Sequence, residues 1–138
     1  MTSLTLIRRI KARPEIVFDL VTTAKGIAQW WGPDAGPVLL SESDPCVGGR
    51  YRLRFRRLAG DEFETSGEFL EVTPPQRVRM SFQWEGDREA TLIEMTLRAI
   101  PEGTELTFTQ SRFSDEATAR GHEKGWSGSL DKLEKLFA

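Results

Sequence analysis

The sequence contains few of the residues from which metal centres and catalytic triads are built. Its 138 residues include one cysteine and one histidine, so neither an intramolecular disulfide nor a usual zinc site can form. No glycine-rich phosphate loop is present either, and we expect no metal and no cofactor. Asparagine is absent, which excludes N-linked glycosylation. The formal net charge of −2 is too small to indicate a nucleic-acid partner.

Long apolar runs are also lacking. No segment approaches the roughly 20 apolar residues of a membrane-spanning helix, so no membrane partner is expected. The apolar run before Arg8 and Arg9 is too short for a signal peptide, and the lone Cys46 suits a reducing compartment. The length is that of one folded domain. We therefore expect a cytoplasmic protein in which residues 1–138 form a single domain.

Hydrophobic periodicity predicts the order of the elements. The first ten residues predict a strand, and helical spacing predicts short helices over 14–22 and 24–31. Apolar and polar residues then alternate in successive segments over 38–110, which predicts strands with one buried face. Helical spacing returns over about 115–137. The predicted class is α+β: a curved antiparallel sheet of about seven strands, two short helices after the first strand, and a long C-terminal helix.

Three glycines interrupt the predicted C-terminal helix. Gly121, Gly125 and Gly128 each cost about 1 kcal/mol of helix stability relative to alanine. Two explanations are open: another backbone passes close to the helix, or space is left free beside it. Because His122 and Trp126 share a neighbouring face, we expect free space at Gly125.

Six short motifs, in order along the chain, carry a resemblance to a known superfamily. They are residues 12–18 (ARPEIVF), 30–33 (WWGP), 47–51 (VGGRY), 67–69 with 73–75 (GEF and TPP), 103–104 (GT) and 122–126 (HEKGW). With the predicted order of elements, these motifs resemble the helix-grip superfamily of START-like (SRPBCC) proteins. The branch that they resemble most consists of bacterial proteins similar to the C-terminal domain of the activator of the heat-shock chaperone ATPase. The resemblance implies a sheet that grips the long helix and a ligand cavity between them, and it implies no fixed chemistry.

Aromatic side chains dominate the predicted inner surfaces. If they line a cavity, they bind a small apolar or lipid-like ligand; simple core packing is the alternative for each of them. The candidate ligand-binding residues are Trp30 and Trp31, expected at the cavity mouth, with Tyr51, Phe55, Phe69, Phe82, Trp84, Phe108, His122 and Trp126.

His122 has two interpretations. In an apolar cavity it could hydrogen-bond a ligand or serve as acid or base, in a pair with Glu68 if the two side chains meet. Alternatively it is a structural histidine, which we favour. No partner for a catalytic triad occurs at fixed spacing, so no catalytic residue is assigned.

A row of arginines alternates with apolar residues over 50–56, and glutamates follow over 62–68. Cross-strand charge pairing explains this pattern; an anionic partner surface is the alternative.

Three functional hypotheses remain open at this point. The first is binding of a small apolar ligand, the second is a cyclase-, dehydratase- or hydrolase-type enzyme in the same cavity, and the third is a chaperone co-regulator. A homodimer is also open.

Overall fold

The computed structural model describes residues 2–138, and its elements follow the predicted order. In chain order they are β1 (Thr2–Ile10), α1 (Pro14–Thr22), α2 (Ala24–Ile27), β2 (Val38–Ser43), β3 (Arg50–Arg56), β4 (Glu62–Thr73), β5 (Arg77–Trp84), β6 (Thr91–Ile100), β7 (Gly103–Phe113) and α3 (Glu116–Lys135). The helix predicted over 24–31 is shorter than expected. It ends at Ile27, and hydrogen-bonded turns carry the chain on to Trp30.

The strands form one antiparallel sheet in the order β1-β7-β6-β5-β4-β3-β2. Strands β2 to β7 are a meander, and β1 joins the far edge by pairing with β7. The register of β4 against β5 shifts between Phe69 and Glu71, and such a bulge bends its strand. The predicted fold class is confirmed: a curved seven-stranded sheet with a long helix packed against its inner face.

The core lies between the sheet and one face of α3. Ala119, Trp126, Leu130 and Leu133 of the helix are buried there. These positions follow the i, i+4, i+7 spacing read from the sequence. Burying a leucine of this kind contributes about 1.5–3 kcal/mol, which offsets the poor helix propensity of the glycines.

The outer face of β3 and β4 carries the predicted charge pairing. Arg52 and Arg54 both bind the Glu64 carboxylate, at N···O distances of 2.9 and 3.0 Å. Arg56 pairs with Glu62 at 3.2 Å. The hydrogen bond from Arg52 holds the pKa of Glu64 below its usual range. The positive row is therefore matched by carboxylates on the neighbouring strand, although solvent weakens each exposed pair.

Helix α3 begins at a side-chain cap. The Asp115 carboxylate accepts a hydrogen bond from the backbone N–H of Thr118 at 2.8 Å, which satisfies one of the free donors at the start of the helix. The same bond lowers the pKa of Asp115.

The loop after α2 is tied to the C-terminal half of α3. The Lys132 ammonium donates to the backbone carbonyls of Trp31 at 3.1 Å and Asp34 at 2.7 Å. Burial lowers the pKa of Lys132, and the nearby Asp34 charge partly opposes that shift. This attachment fixes the position of the tryptophan that borders the candidate site.

Candidate functional site

An open cleft of about 970 Å³ lies at one end of the sheet, beside the N-terminal half of α3. We call it the aromatic cleft. Its apolar lining consists of Trp31, Pro33, Phe55, Phe63, Phe82, Trp84 and Trp126. Its polar lining consists of Arg57, Glu85, Asp87, Thr118, His122, Lys124 and Ser129. Gly121 and Gly125 of α3 also border it.

The floor of the cleft is tightly packed, whereas its walls are open. Trp31, Phe82 and Trp126 expose only 2–6% of their surfaces. Phe63 is 38% exposed, and Trp84 is half-buried. The large volume therefore belongs to a cleft that is open to solvent, and a bound molecule would cover mainly the walls.

Ring-to-ring contacts hold the floor together. The Trp31 and Trp126 rings meet edge to face, with centroids 4.8 Å apart. Behind them, the Phe108 ring lies 4.5 Å from that of Trp126. The Trp126 indole N–H donates to Gln110 Oε1 at 2.7 Å. Because both the ring faces and the polar edge of Trp126 have partners, its orientation is fixed before any ligand arrives.

The hydrogen bonds of His122 determine its chemical form. Trp84 Nε1, which can only donate, lies 2.8 Å from His122 Nε2, so Nε2 carries no proton. His122 Nδ1 lies 3.0 Å from the Thr118 carbonyl and must therefore hold the ring proton. Both imidazole nitrogens are therefore occupied by hydrogen bonds. This arrangement matches the structural interpretation of His122; its partners are Trp84 and Thr118, and the conditional pairing with Glu68 does not form.

Six of the ten candidate ligand-binding residues border the aromatic cleft. They are Trp31, Phe55, Phe82, Trp84, His122 and Trp126. The other four lie in the packed core, outside the cleft lining: Trp30, Tyr51, Phe69 and Phe108, each at most 1% exposed.

Trp30 lies in the core, so the expectation of a mouth position for it is corrected. It is fully buried, and its indole N–H donates to the Leu20 carbonyl at 2.7 Å. Helix α2 is short, and the turns that follow it direct this ring inward. Tyr51 is held in a similar way: its hydroxyl donates to the Ser81 carbonyl at 2.5 Å, and burial raises its pKa.

Sequence reasoning identified Trp84 but missed Phe63 and the charged rim of the cleft. Phe63 pairs directly with Phe55 across β3 and β4, and the two rings stack at 5.7 Å. Its inward direction was readable from the sequence, since Phe63 lies six positions, an even number, before the predicted inner-face residue Phe69. The charged rim around Arg57 and Lys124 had no such signal, because its residues lie on turns and on an exposed helix face.

The three glycines of α3 have different surroundings. A Cβ atom at Gly128 would lie 2.2 Å from the backbone oxygen of Pro33, so only glycine fits there. A Cβ at Gly125 would make an ordinary 3.8 Å contact with the Pro33 side chain, and one at Gly121 would meet nothing within 4 Å. Close backbone approach explains Gly128, and free space explains the other two. The expectation for Gly125 agrees with this geometry.

Neither a metal site nor a membrane span is indicated in the part of the chain that the structure describes. Residues 2–138 contain no group of three or more His, Cys, Asp or Glu side chains that could hold a metal ion. Over the same residues, no helix is long and apolar enough to cross a membrane.

The chain is similar to a family of known proteins along almost its whole length. Residues 11–138 match the family described as Activator of Hsp90 ATPase homolog 1-like protein. None of the curated proteins matches the sequence. The resemblance seen in the sequence motifs is confirmed.

Solved structures of related proteins have the same fold. A protein from Chromobacterium violaceum is 26% identical, with a TM-score of 0.89, over 98% of this chain and 96% of that one. The AHSA1 protein from Silicibacter pomeroyi is 27% identical, with a TM-score of 0.87 and the same shares covered. An AHSA1-like protein from Aeromonas hydrophila, 22% identical, shares the fold with a TM-score of 0.80 over 97% of this chain and 90% of that one.

Proposed function

We propose that this chain, which belongs to the activator of Hsp90 ATPase homolog 1-like protein family, binds a small, ring-containing apolar molecule in the aromatic cleft. The main observation behind this proposal is the cleft itself. It has a volume of about 970 Å³ and an aromatic lining, and the helix beside it leaves space at Gly121 and Gly125. Ligand sites in proteins typically occupy about 300–1,000 Å³ and are lined mainly by apolar side chains.

The exposed walls supply a driving force for binding. Covering these walls gains about 25 cal/mol for each Å² of apolar surface removed from water, before the entropy of association is subtracted. The fixed floor lowers the entropy cost of binding, because rings that already have packing partners, such as Trp126, lose little freedom when a ligand binds. Ring-shaped ligands also stack well on Phe63 and Trp84, the two most open aromatic walls.

Binding is better supported than catalysis. A general base needs a nitrogen or oxygen that faces the substrate proton, and both His122 nitrogens are already engaged by Trp84 and Thr118. The hypothesis of a cyclase- or hydrolase-type enzyme would require the Trp84 bond to break first.

Native mass spectrometry and a fluorescent naphthalene dye test the proposal. Protein purified from different expression hosts should carry a small-molecule mass or bind the dye saturably in a 1:1 ratio. Gly121→Phe should weaken dye binding by about tenfold or more, because the new ring fills open space beside the cleft. Ala117→Phe is the matched control: this exposed residue of α3 lies outside the cleft lining, so binding should not change.

Two results would contradict the proposal. One is the absence of any bound mass and of saturable binding across a panel of ring compounds. The other is equal loss of binding in the Gly121→Phe and Ala117→Phe proteins. Tight binding of purified Hsp90 by the wild type and by Gly121→Phe, without any small-molecule binding, would favour the chaperone-regulator hypothesis instead.

A further inference from the structure

The apolar lining of the cleft is unusual in kind. Apart from Pro33, every apolar side chain that borders it is aromatic. Among residues 2–138, no leucine, isoleucine, valine or methionine lines it, although these types fill the core nearby, as at Leu53, Met80 and Leu106. An alkyl ligand would bind to aliphatic side chains as well as to aromatic ones. Aromatic walls differ because each ring face carries partial negative charge and attracts cations.

One wall already holds a cation. The Arg57 guanidinium carbon lies 5.1 Å from the centroid of the Phe63 ring, within the range of a cation–π contact. Arg57 also binds the Asp61 carboxylate, so its charge is neutralised locally. The geometry of the wall is therefore compatible with a positive group resting on a ring face.

The remaining charges at the rim of the cleft also favour a positively charged ligand. Glu85 and Asp87 lie on the turn between β5 and β6 and border the cleft. Within residues 2–138 neither carboxylate forms an ion pair, and Lys124 is the one other charged lining residue without such a partner. The described lining therefore carries two carboxylates without an ion-pair partner, Glu85 and Asp87, and one such ammonium, Lys124. The Glu85 charge also acts on Arg52, whose pKa is raised mainly by its hydrogen bond to Glu64.

We propose that the ring compound bound in the aromatic cleft is a small organic cation, such as an N-alkylated aromatic heterocycle. This inference rests on the proposed function and names the chemical class of its ligand. Aromatic walls receive the charge, and the carboxylates of Glu85 and Asp87 select its sign at the mouth.

A pair of dyes that differ only in charge tests the inference. Thioflavin T is a cationic benzothiazolium, and its analogue without the ring N-methyl group is neutral and nearly the same size. By isothermal titration calorimetry at low salt, the cation should bind about tenfold more tightly than the neutral analogue. The anionic dye 8-anilinonaphthalene-1-sulfonate should bind more weakly than either.

Charge-neutralising variants assign the preference to the rim. The double variant Glu85→Gln/Asp87→Asn should reduce the cation-to-neutral affinity ratio by about threefold or more. Lys124→Gln should raise that ratio. Glu89→Gln is the matched control, since this exposed residue lies on the same turn but outside the cleft lining, and it should leave the ratio within about twofold.

The possible outcomes separate the two proposals. Equal or tighter binding of the neutral or anionic dye would overturn the cation inference and leave the binding function standing. So would an affinity ratio that the double variant does not change. If none of the three dyes binds and the ring-compound panel also fails, the proposed function falls and the cation inference falls with it.

Discussion

The two halves of α3 meet the rest of the protein in opposite ways. The C-terminal half is locked to the loop after α2, with Gly128 against the Pro33 backbone and Lys132 bonded to two of the loop's carbonyls. The N-terminal half borders open space at Gly121 and Gly125. One helix therefore anchors the fold at one end and borders an open cleft at the other.

This comparison shows that a single residue type can serve opposite purposes within eight positions. At Gly128 the missing side chain lets the backbone of Pro33 approach the helix. The next residue, Ser129, is held against the same loop, because its hydroxyl donates to the Gly32 carbonyl at 2.8 Å. At Gly125 the missing side chain leaves volume unfilled. Only the surrounding structure distinguishes the two, because helix propensity penalises both glycines equally.

The largest expected effect is at Trp126, where the two halves join. Trp126→Ala should lower the free energy of unfolding by about 3–5 kcal/mol, since a large buried ring is lost and Gln110 loses its indole partner. Chemical denaturation measures this change. Trp126→Phe should cost less, because it keeps a ring in place. A nearly unchanged unfolding midpoint for Trp126→Ala would contradict the packing described for this ring.

The next effect tests the locked half directly. Gly128→Ala should cost about 2 kcal/mol, since overpacking against the Pro33 carbonyl outweighs the gain in helix propensity. Gly121→Ala is the matched control on the same helix, and it should gain up to about 1 kcal/mol because nothing lies near its Cβ. Equal effects at the two positions, measured by urea unfolding, would remove the distinction between the halves.

A smaller loss is expected where the Lys132 ammonium attaches to the loop. Lys132→Met keeps the length of the side chain but removes both donors to the carbonyls of Trp31 and Asp34. We expect a loss of about 1 kcal/mol, because the site is half open to water, which can partly replace the ammonium. Thermal unfolding provides the measurement. An increase in stability would show that the amine is held there at a net cost.

The sequence predicted the order of the elements and the face that each strand buries. Alternation alone placed Tyr51, Phe55 and Phe69 on the inner surface, and all three lie there. Alternation does not show, however, which of the inner-face residues of a strand border the cleft, because the cleft occupies only one end of the sheet. Antiparallel pairing brings the end of β3 and the start of β4 to that end, so Phe55 and Phe63 border the cleft.

Residues at the other end of the same strands fill the core instead. Tyr51 pairs with Gly67, far from the β3–β4 turn, and its ring lies 5.8 Å from that of Phe69. Predicting this division from sequence required the strand register as well as the buried face. The six short motifs therefore identified the correct family and alternation identified the inner surface, while the position of the cleft depended on which strand ends come together.

The smallest expected change in stability is also the sharpest test of the open half. Gly125→Leu should change the free energy of unfolding by less than about 1 kcal/mol, because the gain in helix propensity is offset by ordering an exposed-edge side chain. Its Cβ would touch the Pro33 side chain at 3.8 Å, an ordinary contact. The rest of the side chain would extend into the cleft, so binding of a ring compound should fall while the fold persists.

Two measurements on one sample decide the outcome for Gly125→Leu. Urea unfolding should report near-wild-type stability, and titration with the naphthalene dye should report weaker binding. A loss of about 1–3 kcal/mol in the ligand-free protein would instead indicate overpacking. The open half would then resemble the locked half, and Gly125 would serve close packing as Gly128 does. Unchanged stability with unchanged binding would place the ligand away from this part of the helix.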